Sequence, residues 1–297
     1  MFKRGLCALL AFYCFAYYAA HMSAQQDERD VQPNVRSSAE QSPSPSARAR
    51  VLSVAEEIET QRIRLQSSEA ETRRDAVMRL GSLERSDASR AAVVAISDRA
   101  VSVRVAATRA VLALPADEAA ALLIPLLERR RERNEVVRLS TAYALGETQS
   151  RAGVLPLVAA LGDRSAGVRG AAAVALGQIR DDRAVPALIE VLLRCVQRSG
   201  FVNRLLRRRT EENEFVRRSA ARSLGQIGSR AAVPRLIEVL GDEGAGDDLR
   251  REAARALAII ADPAAILALR TVLTARDPYL ARIAFEALQR LDPTRAR

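Results

Sequence analysis

The chain has 297 residues, a net charge of +10 and 4% aromatic residues, with no Trp. Its single His is His21 and its single Lys is Lys3, so beyond the N-terminal segment every basic side chain is an arginine. That excludes His-based triads, Cys–His dyads and His-ligated metal sites from the rest of the chain, and no metal or other cofactor is expected.

The first 24 residues read as a secretory signal: Lys3 and Arg4, then the uncharged apolar stretch 5–20, then Ser23-Ala24 before a polar run. The stretch is short for a spanning helix, so cleavage after Ala24 is expected, with an uncleaved N-terminal anchor as the alternative. Export places the protein in the periplasm, the cell envelope or outside the cell. Residues 25–50 carry few large apolar side chains and read as a flexible linker. Val51–Gln66 places Val51, Val54, Ile58 and Leu65 at helical spacing, which predicts a helix capping the first repeat unit. Ser68 and Glu71 have the spacing of a capping box for the next helix.

From there to the end the chain repeats itself. Arg73, Arg104, Arg138, Arg169, Arg217 and Arg250, with Ala281 in the seventh place, are spaced 31, 34, 31, 48, 33 and 31 apart. Asn134, Ser165, Asn213 and Asp277 stand four residues before this ruler as N-caps. Small and apolar residues then recur three and four apart, as in Val168, Ala172, Ala175 and Leu176. Gly81, Gly146, Gly177 and Gly225, eight residues past the ruler, predict left-handed helix ends. Pro125, Pro156, Pro186 and Pro234 predict the start of a second helix. No unit buries its apolar face alone, so neighbours must stack. The expected fold is all-α: a right-handed α-solenoid of about seven helix-pair repeats over residues 51–297.

The pattern VR..AA..LG.I....AVP.L..VL stands at Val168–Leu192 and again at Val216–Leu240. It resembles the HEAT-like repeats first described in phycobilisome lyases. The matched residues build the helix pair, so the resemblance implies the fold and not an activity. HEAT-like hydroxylases bind iron through His-Glu pairs, which this chain lacks. Bilin handling by a lyase-like protein is an alternative that export weighs against.

Four features are candidate sites. The ruler arginines Arg73, Arg104, Arg138, Arg169, Arg217 and Arg250 form a structural ladder, and Asp98 and Asp163, six residues before a ruler position, are its expected partners. The long spacing comes from an insertion at 194–213, where Arg194, Arg198, Arg204, Arg207, Arg208 and Arg209 surround Phe201 and Leu205. Insertions in repeat arrays gather on one face, often the binding face, so these eight residues are the predicted partner contacts. Glu128–Arg133, reading ERRRER, is a second basic segment, and it coincides with a three-residue lengthening of its repeat. Cys195 reads as a half-buried thiol at a helix end. Acid pairs such as Asp181-Asp182 and Asp247-Asp248 are expected in inter-helix loops. The function predicted is a non-catalytic scaffold or adaptor that holds a protein partner with an acidic surface. An anionic envelope polymer or lipid surface is the runner-up, and scarce aromatics weigh against nucleic acid.

Overall fold

The computed structural model describes residues 53–193 and 212–291, and all regular structure among them is helical. The signal segment, the linker and residues 194–211 with Cys195 lie outside the described residues.

The helices are α1 Val54–Arg64, α2 Ala70–Gly81, α3 Ser86–Ala92, α4 Val101–Ala110, α5 Ala116–Leu127, α6 Glu135–Thr148 and α7 Val154–Ala160. They continue as α8 Ala166–Ile179, α9 Val185–Leu193, α10 Glu214–Ile227, α11 Val233–Gly241, α12 Asp247–Ile260, α13 Ile266–Thr271 and α14 Pro278–Leu291. After the capping helix α1, each even-numbered helix is the first of a pair and each odd-numbered helix the second. Successive even helices pack extensively, α2 on α4 and onward to α14, whereas successive odd helices touch sparsely. The array is an α-solenoid. The 48-residue spacing leaves it unbroken, because α10 packs on α8 as α8 packs on α6.

Small side chains make the even layer possible. Ala171, Ala172, Ala173 and Ala175 of α8, and Ala253, Ala254 and Ala256 of α12, are fully buried. The glycines expected to end these helices do something else. Gly146, Gly177 and Gly225 lie inside α6, α8 and α10, and the left-handed residue falls three positions later, at Gln149 (φ 53°), Arg180 (φ 57°) and Gly228 (φ 79°). A Cβ on Gly225 would stand 2.7 Å from the Ala256 Cα of α12, and one on Gly146 2.7 Å from the Ala175 Cα of α8. Glycine stands there because the next backbone needs the space.

Other local expectations are corrected in the same way. Asn134, Asn213 and Asp277 accept amide hydrogens of their helices, but Ser165 makes no side-chain cap bond. Ser68 and Glu71 form no capping box: the N-cap residue is Glu69, and the Ser68 carbonyl is engaged by Arg73. The capping box that does form joins Ser53 and Glu56 at α1, whose Ile58 is buried while Val54 is exposed. Pro125 lies near the end of α5, not its start. Its missing N–H removes the bond to the Ala121 carbonyl, and α5 stops two residues later. Asp247 and Asp248 sit in the first turn of α12 instead of a loop.

Gly225→Val is expected to destabilise the array by about 1–3 kcal/mol through overpacking. Gly241→Ala, where nothing stands within 4 Å of the added methyl, is expected to be neutral. Urea unfolding midpoints of the two variants check this.

Candidate interaction surface

The ruler arginines reach across the repeat boundary. Arg73 gives Nε and Nη2 to the Asp98 carboxylate at 2.7 and 2.9 Å, and Nη1 to the carbonyls of Ser67 and Ser68. Arg138 does the same with Asp163 at 2.8 and 3.0 Å and with the carbonyls of Glu132 and Arg133. Arg104 takes Glu132, and Arg169 takes Glu212. Each rung acid also accepts a nearby backbone amide: Ala100, Ser165, Asn134 and Asn213 donate to Asp98, Asp163, Glu132 and Glu212. The carbonyls of Asp98, Glu132 and Asp163 in turn accept the next ruler arginine. One hydrogen-bonded chain therefore runs from Arg73 to Glu212. Only the bidentate, planar fork of arginine satisfies such a junction.

Burial gives these pairs consequence. The Arg138 and Asp163 side chains are 4% and 5% exposed. Burial pushes the Asp163 carboxyl up, but the Arg138 guanidinium and the Ser165 amide outweigh it and hold the group below the ordinary aspartate range. Arg73 holds Asp98 down more directly. Of the rung acids, Glu132 and Glu212 went unrecognised in the sequence. Glu132 shares the six-residue offset of Asp98 and Asp163, whereas Glu212 stands five before its ruler residue.

The chain of rungs ends at Arg217. Asp98, Glu132 and Asp163 stand two residues before an N-cap and Glu212 one, whereas the next two loops offer Gly244 and Ala275 two residues before theirs. Arg217 and Arg250 instead turn Nε to the Leu192 and Leu240 carbonyls, each at 3.0 Å. Arg217 is 7% exposed, and its Nη2 has no hydrogen-bond partner. Helix-face pairs join the last repeats: Arg222–Glu252 at 2.9 Å and Arg251–Asp277 at 2.6 Å, with Arg251 also 5.1 Å from the Tyr279 ring centre.

A second arginine row lies on the outside of the same loops. Arg99, Arg133 and Arg164 directly follow rung acids and are exposed, while their backbone carbonyls are held by Arg104, Arg138 and Arg169. Beside this row, between the C-terminal ends of α5 and α7, is a cleft of about 470 Å³. Ile124, Leu127, Pro156 and Ala159 line it, together with Arg129 and Arg130 from the basic segment noted in the sequence and the acids Glu128 and Asp163.

The predicted partner contacts Arg194, Arg198, Phe201, Arg204, Leu205, Arg207, Arg208 and Arg209 all lie outside the described residues. Asp181 caps the turn before α9, accepting both the amide and the guanidinium of Arg183, which holds its carboxyl down at about 2. Among the described residues, no group of three or more His, Cys, Asp or Glu is placed to hold a metal ion.

Stacked helix pairs tied by a periodic arginine clamp define a helical repeat protein. Residues 125–198 and 201–289 match HEAT repeats, and the chain belongs to the HEAT-repeat family. No curated protein matches the sequence. Among solved structures, an engineered protein is similar at 24% identity and a TM-score of 0.50, over 79% of this chain and 68% of that one. The complex of CpcE and CpcF of phycocyanin lyase from Nostoc sp. PCC7120 is similar at 25% identity and a TM-score of 0.44, over 86% and 82%. Human deoxyhypusine hydroxylase is similar at 22% identity and 0.39, over 80% and 84%. The likeness to the engineered protein bears on the fold alone.

Arg138→Ala leaves Asp163 buried without its counter-charge and is expected to cost about 3–5 kcal/mol. Arg217→Met removes an unsatisfied nitrogen but also the bond to the Leu192 carbonyl, so it is expected to cost about 1 kcal/mol, well below Arg138→Ala; chemical denaturation compares the two. Asp98 and Asp163 titrate below their unfolded value of about 3.9. Their contribution is therefore complete at neutral pH and is lost as pH falls through the folded-state values. Thermal midpoints are expected to hold from about pH 7 to 5 and then drop, and Asp163→Asn is expected to shrink that drop.

Proposed function

We propose that this protein is an exported, non-catalytic HEAT-repeat scaffold that holds an acidic protein partner at the cell envelope. HEAT-repeat membership supports a role in protein interaction. The observation that carries the charge preference is the division of labour among ionic groups. Asp98, Glu132, Asp163 and Glu212 are engaged by ruler arginines, while Arg99, Arg133 and Arg164 stand exposed on the same loops. The surplus of positive charge in the sequence thus lies partly on one edge, where it favours an anionic partner. The finer affiliation, to the lyase-type HEAT-like repeats, rests on the shared pattern of Val168–Leu192 and Val216–Leu240, which match at 16 of 25 positions.

Chemical cross-linking and affinity capture from the cell envelope test this reading, with the intact chain set beside Arg207→Glu, Arg208→Glu and Arg209→Glu combined. Capture of one defined protein by the intact chain supports the scaffold, and its loss in the variant places the contact in the insertion. Recovery of polysaccharide or lipid alone, released steeply by salt, would replace the protein partner with an anionic polymer or membrane surface. Intact-mass measurement of the secreted chain is expected to give a start at Gln25; a start at Met1 would show the anchor instead.

A further inference from the structure

Three features have no part in the arginine–acid rungs or the insertion: the orphaned nitrogen of Arg217, the exposed apolar side chains of the second helices, and the cleft between α5 and α7. The last combines an apolar floor with two arginines that make no ion pair among the described residues. Its origin is local. The repeat carrying α5 is three residues longer than most, and the excess falls in Glu128–Arg133. This segment folds into a turn in which the amides of Arg131 and Glu132 both donate to the Glu128 carbonyl at 2.9 Å. The turn lifts Arg129 and Arg130 beside the apolar wall made by α5 and α7.

The carboxylates nearby are already engaged. Glu128 pairs with Arg131 at 3.0 Å, Glu132 is held by Arg104, and Asp163 takes both forks of Arg138. Arg129 feels the field of Asp163, but among the described residues neither Arg129 nor Arg130 makes an ion pair. A helix C-terminus attracts cations, yet these two guanidiniums stand past the end of α5, over the cleft. On the α7 side Leu155 is 63% exposed and lies one turn from Ala159, which extends the apolar wall outward.

We propose that this cleft docks an extended acidic peptide segment of a protein partner. One bulky apolar side chain sits between Ile124 and Pro156, and flanking carboxylates meet Arg129 and Arg130, then Arg133 and Arg164 along the loop edge. Adjacent packed helices lie about 10 Å apart, and extended chain advances about 3.3 Å per residue. Successive loop arginines therefore match acids spaced three residues apart. The inference rests on the acidic-partner reading above and moves its contact from the insertion to the third and second repeats.

The test uses a fluorescein-labelled peptide with glutamate at every third position and one central leucine, titrated against the full chain by fluorescence anisotropy. Saturable binding is expected, weakened about tenfold or more, a loss of about 1.4 kcal/mol or more, by Arg129→Glu with Arg130→Glu. Ala159→Gln, which narrows the cleft without changing charge, is expected to weaken it too. Replacing the peptide leucine with serine is expected to weaken it as well. The altered side chains are exposed, so unchanged helical circular dichroism confirms folding. Equal affinity for the leucine and serine peptides would overturn the proposal in favour of simple polyanion attraction, as would full affinity in the double arginine variant. The same variant enters the envelope capture experiment. A partner still captured by it sinks the cleft but not the scaffold; peptide binding with no partner captured sinks the scaffold but not the cleft.

Discussion

The array depends on how closely the backbones of successive first helices approach. Alanine and glycine line that contact, and at Gly146 and Gly225 the neighbouring Cα would stand 2.7 Å from any added Cβ. Apolar burial drives the layers together, and van der Waals contact between small side chains sets the final distance. The ruler arginines work only because that distance is fixed, since a guanidinium that spans two loops at hydrogen-bond length tolerates little change in spacing.

Within this frame the ladder joins loops more than helices. Each rung binds a carboxylate from one loop and two carbonyls from the loop before, so the N-terminal ends of α4, α6, α8 and α10 are positioned by the repeat preceding each. The passage through the insertion illustrates the tolerance of such a design. The 48-residue spacing returns to the array through Glu212, one residue closer to its ruler position than the other rung acids, and a longer side chain than aspartate reaches Arg169. Beyond it no acid takes the rung position, and the last repeats are joined by Arg222–Glu252 and Arg251–Asp277, whose acids are buried while Arg222 stays largely exposed.

The surface is set by the same geometry. Acids that pair internally are withdrawn from the outer field, and the arginines beside them face solvent. Second helices, which touch one another sparsely, leave room between their ends. Where a lengthened loop adds guanidiniums to such a gap, between α5 and α7, apolar wall and positive charge meet.

Much of this was legible in the sequence, because helix pairing, period and capping are local properties repeated along the chain. The ruler arginines, the partners Asp98 and Asp163 and the small buried positions of the first helices are evident from spacing alone. What spacing does not encode is which residues of different helices face each other. Gly81 does close its helix, whereas Gly146, Gly177 and Gly225, which look like helix ends in one dimension, prove to be contact points in three. Ser165 has the residue type of a cap yet makes no side-chain cap bond, although its amide donates to a rung acid just as those of Asn134 and Asn213 do. The helix-pair repeat was therefore determined by the sequence read by itself. The distance between repeats, the point where the ladder ends and the cleft beside Arg129 were decided by tertiary structure, because each depends on atoms that only packing brings together.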